Sequence, residues 1–158
     1  MPLIIADARP APLMRHLAAI AYDVMLLAAC WIGVGFIFII FNKGEAITGG
    51  ALHYLLQVAL LATWLAFYIY FWTQQGQTLG MRAWRLAVAD ENGRPLTIVL
   101  ALKRWCCALL TCAPAGIGLW WRYLDVDGCT LYDRLSRTRL YLLPTNPYPS
   151  AKKRKTHV

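Results

Sequence analysis

The chain of 158 residues is 59% hydrophobic and only 15% charged, with a formal net charge of +8 and a mean hydropathy of +0.46. Charged residues make up about a quarter of an ordinary soluble domain, so the deficit argues against a soluble globule and for one compact membrane domain. The 16 Lys and Arg sit between and after apolar runs instead of lining one surface, which fits membrane topology and anionic lipid, not nucleic acid.

Residues 1–13, with Pro2, Pro10 and Pro12, read as an irregular lead-in. No cleavable signal peptide is expected, because no charged segment is followed by a short apolar run and a small-residue cleavage site. A 25-residue run, Leu17 to Phe41, follows and contains a single charge, Asp23. As a helix it would be about 37 Å long, enough to cross a hydrocarbon core with some tilt. Arg15 stands where that helix enters the membrane. Gly33 and Gly35 would let another helix approach closely.

A short glycine-rich connection, 42–50, leads to a second span over about 51–72, free of Asp, Glu, Lys and Arg. Its end, Phe67-Tyr68-Ile69-Tyr70-Phe71-Trp72, suits an interfacial aromatic belt. Residues 84–97 alternate around the turn Glu91-Asn92-Gly93 and predict a surface β-hairpin. Residues 98–124 are apolar apart from Lys103, Arg104 and Arg122 and are interrupted by Pro114, Gly116 and Gly118; they read either as a single spanning helix or as two short helices that re-enter on one side, and the loop charges favour the pair. Residues 138–143 predict a strand able to pair with the hairpin, and 144–158 a disordered basic tail.

Loop charge orients the chain. Two cations precede the first span, one (Lys43) lies between the spans, three lie in 74–97 and eight follow Trp121. The poor loop should face out, with both termini and the hairpin in the cytoplasm. The five cysteines form no C-x-x-C pair and no metal-spaced cluster with histidine.

In order along the chain, Arg15, Asp23, Gly76-Gln77-Thr78-Leu79-Gly80-Met81-Arg82, Asp90-Glu91-Asn92-Gly93-Arg94-Pro95-Leu96, Arg104 and Asp133-Arg134-Leu135-Ser136-Arg137-Thr138 together resemble the RDD family of small membrane proteins. The resemblance covers about Arg15 to Leu143. The family takes its name from one arginine and two aspartates, matched here by Arg15, Asp23 and Asp133. One departure is Arg137, where the family often has glycine before the threonine. The resemblance implies a bacterial plasma-membrane protein that transports a ligand, with sodium/proton exchange among the activities linked to the family.

Asp23 is the sharpest candidate site: a carboxylate inside a span requires a proton, a cation or a polar cluster. Arg15 is eight residues away, about 80° off a shared helical face, so a partner from another segment is expected, with Arg104 the first choice. Arg15 itself reads as an interfacial anchor, or as a counter-charge for Asp133. Lys103 and Arg104 project about 100° apart, one able to face inward and the other the headgroups. Asp133 reads as a helix-cap or turn acid with Thr138 close by, alternatively bridging to Arg15 or Arg82. Thr78 belongs to the supporting set.

Asp125-Val126-Asp127-Gly128 lacks the remaining ligands of a calcium loop, and Gly76–Gly80 lacks the Gly-Lys-Ser/Thr of a phosphate loop. His16 and His53 stand near opposite ends of the membrane region and share no metal. The expectation is an all-α integral membrane protein with two spans, a re-entrant helical hairpin and a small cytoplasmic β element. It needs no cofactor or metal and performs no enzymatic reaction. Its partners are the bilayer, anionic lipid at Lys152, Lys153, Arg154 and Lys155, and further copies of itself. The rival expectation is a scaffold or assembly factor whose buried charges only fix helix packing.

Overall fold

The computed structural model describes residues 9–113 and 116–144. The basic tail, with Lys152, Lys153, Arg154 and Lys155, lies outside the described residues, as do Pro2 and Pro114.

Two long helices dominate, α1 (Leu13–Phe41) and α2 (Gly50–Gln74), both long and apolar enough to cross a membrane. Each ends within two residues of its apolar run, and α1 begins before its run, at Leu13 directly after Pro12. Only the first half of α1 is buried, through Leu13, His16, Ala19, Asp23 and Leu27. From there outward the helix presents carbon to its surroundings. A hydrogen bond of 3.0 Å from Trp31 Nε1 to the Leu60 carbonyl ties α1 to α2. Gly33 and Gly35 have nothing within 4 Å of where a Cβ would stand, so no helix among the described residues uses them for close approach.

A short helix α3 (Leu79–Ala83) follows, capped by Thr78, whose hydroxyl accepts from the Met81 N–H. Strand β2 (Leu86–Asp90) comes next. The predicted hairpin is only half formed. The chain turns at Gly93, and 94–97 run directly to Thr97, which caps α4 (Ile98–Cys112) through the Leu100 N–H. Pro95 has no N–H to give a ladder, and the edge of β2 away from β3 is taken by Gly76 and Gln77, which bond Val88 and Leu86. β2 pairs with β3 (Thr138–Leu142), antiparallel, with Val88 opposite Leu140 and Asp90 opposite Thr138. The expected pairing of the last strand with this region is therefore present.

The described end of the lead-in is not irregular as expected. Arg9–Pro10 form a short strand, β1, on the other side of β3, giving the order β1-β3-β2. The sheet thus joins the start of α1 to the segment after α6 (Leu131–Ser136).

Residues 98–124 form two helical pieces, as expected: α4, then α5 (Ile117–Trp120) continued by a 3₁₀ turn (Trp121–Tyr123), bent 103° from α4. The core gathers where the sheet meets the helices, with Trp72, Met81, Leu86, Val88, Leu96, Ala101 and Leu140 buried together. The aromatic end of α2 serves this core as much as a belt: Trp72 turns inward while Tyr70 stays 60% exposed.

Candidate functional site

The segment Gly76–Gly80 is short and polar, yet it is stitched to two elements at once. Gly76 supplies a carbonyl to the Val88 N–H at 2.7 Å, and Gln77 Nε2 donates to the Leu86 carbonyl at 2.6 Å. Both bonds fix the segment on β2. Its other side meets Asp23. Thr78 Oγ1 donates to Asp23 Oδ2 at 2.5 Å, and the Gly80 N–H donates to Asp23 Oδ1 at 2.9 Å. The carboxylate thus closes the start of α3, where free N–H groups favour negative charge.

Gly80 is required sterically. A Cβ there would run into the Ala19 carbonyl oxygen and stand 2.9 Å from Asp23 Oδ1. The glycine-threonine-glycine spacing therefore lets α3 lie against α1 with the acid between them. Asp23 is 2% exposed, and its partners are a hydroxyl and a backbone N–H. The expected Arg104–Asp23 pair is not formed. The physical reason is reach: Arg104 leaves α4 toward α6 and finds a nearer acid.

That acid is Asp133. Arg104 Nη1 donates to Asp133 Oδ1 at 2.5 Å and also to Thr138 Oγ1. Thr138 Oγ1 lies 2.7 Å from Ser136 Oγ, which in turn donates to the Tyr132 carbonyl at 2.5 Å. The guanidinium packs over Trp72 (5.3 Å) and Tyr132 (5.1 Å), a cation–π arrangement in a dry setting. Asp133 Oδ2 accepts from the Thr130 N–H, and Thr130 Oγ1 accepts from the Asp133 N–H, a capping box for α6. Asp133 is thus the third residue of the box, with Thr130 as the cap itself. Its bridge is to Arg104, and the expected bridges to Arg15 or Arg82 are not formed. Burial and the neighbouring Asp133 carboxylate push the Tyr132 phenol above its usual pKa.

Adjacent cations divide as helix geometry predicts, with Lys103 exposed and Arg104 buried. Arg15 is half-buried and makes no ion pair among the described residues, so its role as counter-charge for Asp133 is not realised. Arg137 has φ +55° and ψ +44° where it ends α6. The family's glycine would adopt that left-handed conformation without strain. Asp125 to Gly128 form a turn held by Arg134 and Arg139, with no metal-binding cluster among the described residues.

The helices border a half-open cavity of about 410 Å³. α1 supplies His16, Ile20 and Asp23; α2 supplies Trp64 and Tyr68; α4 supplies Arg104 and Trp105. α2 packs against both α1 and α4, which face each other across the space. Trp64 links the aromatic walls, standing edge-on to Trp31 at 6.4 Å and to Trp105 at 5.2 Å. His16 is the residue the sequence reading missed. It is buried and shares a 3.2 Å hydrogen bond with the Tyr132 hydroxyl, joining α1 to α6. Its spacing carries a signal: seven residues before Asp23, it falls about 20° from the same helical face.

These features define a small helical membrane protein whose buried acids and arginine gather where the membrane helices meet a three-stranded sheet. The sequence model of the RDD family matches residues 10–137, and the chain belongs to that family. No curated protein and no solved structure matches it.

Proposed function

We propose that this chain is a non-enzymatic component of a membrane transport system, in which the cavity between α1, α2 and α4 holds the transported species and Asp23 supplies the charge that anchors it. One observation carries the reading. Asp23 is a buried carboxylate on the cavity wall, and its partners are a hydroxyl and an N–H, with no cation among the described residues. Such an acid inside a helical bundle is a natural acceptor for a cation or proton. Two spans are few for an alternating-access machine, so the reading includes a homo-oligomer. In proteoliposomes, sodium- or proton-driven flux is expected for the wild type and its loss for Asp23→Asn. Equal flux from the two proteins would remove Asp23 from transport, and none from either, with normal insertion, would remove transport itself.

A second reading is favoured by the same bonds. Both oxygens of Asp23 are occupied by α3, and Arg104 is occupied by Asp133 and Thr138. On that reading the charges hold the sheet to the membrane helices, and the chain is a scaffold or assembly factor.

The orientation we propose places the sheet, and with it both ends of the domain, in the cytoplasm of a bacterial inner membrane, where the basic tail meets anionic lipid. Lys43 alone among Lys and Arg lies between the spans, which supports that side as the outer one. The pairing of β2 with β3 supports a re-entrant course for α4 and α5, since one crossing between those strands would part them. A cysteine substituted for Thr48 should react with an impermeant maleimide in intact cells, and one substituted for Pro144 only after permeabilisation. The opposite pattern would invert the orientation, and labelling of both from outside would make 98–124 a crossing.

A further inference from the structure

Charge within the cavity is unbalanced. The arginine on its wall, Arg104, is neutralised by Asp133 through a 2.5 Å ion pair. Asp23 has no such partner among the described residues. A species that enters therefore meets one carboxyl group that no cation among the described residues pairs. The surrounding wall is mostly carbon, with Trp64, Trp72, Trp105 and Tyr68 contributing aromatic rings. Hard inorganic cations require several oxygen ligands arranged around them, and this wall offers few. Aromatic rings beside a carboxylate instead suit a large, weakly hydrated organic cation. The volume of about 410 Å³ lies within the range of pockets that take small organic molecules.

We infer that the cavity is a binding site for an organic monocation with an apolar body, of the alkyl or aryl quaternary ammonium class, its charge near Asp23 and its body against Trp64, Tyr68 and Trp105. The inference rests on the reading of Asp23 as the anchoring charge and names the chemical class that this charge and these walls accept together. Selectivity for charge follows from Asp23, and selectivity for apolar bulk from the rings.

Three probes of nearly one shape test it on the full-length protein in detergent, with binding followed by calorimetry and tryptophan fluorescence. They are benzyltrimethylammonium, its neutral isostere neopentylbenzene, and the anion phenylmethanesulfonate. The ammonium is expected to bind about tenfold or more tighter than the isostere, with the anion weakest. Asp23→Asn keeps an acceptor for the Gly80 N–H and should erase the preference for the cation. Trp105→Leu should weaken the ammonium several-fold while leaving the acid in place. Equal or tighter binding of the isostere to wild type, or a preference for the anion, overturns the inference, and this comparison needs no variant to fold. Ammonium binding without flux would leave the site standing and remove the transport reading. Sodium/proton flux unaffected by ammonium, with no ammonium bound, would do the reverse.

Discussion

Arg104→Gln and Asp133→Asn are each expected to destabilise the protein by about 3–5 kcal/mol, because each leaves one charge of a buried ion pair without its partner. The cost falls on several elements. Arg104 Nη1 reaches both Asp133 and Thr138, so its loss frees α4 from α6 and from the start of β3 together. The double variant Arg104→Met, Asp133→Asn should recover at least half of the loss, since it buries no lone charge and the asparagine can still accept from the Thr130 N–H. Arg104→Lys should not rescue. An ammonium lacks the flat face that packs between the Trp72 and Tyr132 rings and cannot reproduce the geometry of the guanidinium donors. Reversible unfolding in mixed micelles, followed by circular dichroism, measures all four. Single variants within about 1 kcal/mol of wild type would show that the pair is not what joins these elements.

Gly80→Ala is the second large effect. The added methyl would overlap the Ala19 carbonyl and press on the Asp23 carboxylate, so α3 must withdraw from α1. Overpacking of this kind costs about 1–3 kcal/mol, and lengthening the Gly80 N–H bond to a buried carboxylate adds about 1–3 kcal/mol. Gly33→Ala is the matched control, with nothing within 4 Å of the new methyl. There the change should be neutral or slightly stabilising, because alanine is the better helix former. If both substitutions leave the unfolding midpoint unchanged, the close approach of α3 to α1 is not required for the fold.

The two expectations concern different junctions. The Gly80 junction fastens the 76–80 segment, and through it β2, to α1. The Arg104 junction fastens α6 and β3 to α4. Since β2 and β3 pair with each other, a break at either should loosen the sheet from the helices while leaving α1 and α2 helical. Proteolysis within 84–97 should therefore quicken in both variants before helical content falls.

Much of this was legible in one dimension because it depends on local or periodic properties. Apolar runs of sufficient length give α1 and α2 directly, since hydrocarbon demands a helix that satisfies its own backbone. The 100° step between neighbours separated Lys103 from Arg104, and the 80° offset correctly denied Arg15 to Asp23. The repeat of His16, Ala19, Asp23 and Leu27 on one face was also available and would have brought His16 into the site.

What only the tertiary structure decided is who meets whom. Asp23 is held by a hydroxyl and a backbone N–H from a segment more than fifty residues away, and a backbone donor leaves no mark in residue identity. Arg104 had two buried acids to choose from, and the packing of α6 against α4 chose Asp133. The second strand of the expected hairpin is absent because Gly76 and Gln77 bond that edge of β2, while β3, from far along the chain, pairs with the other.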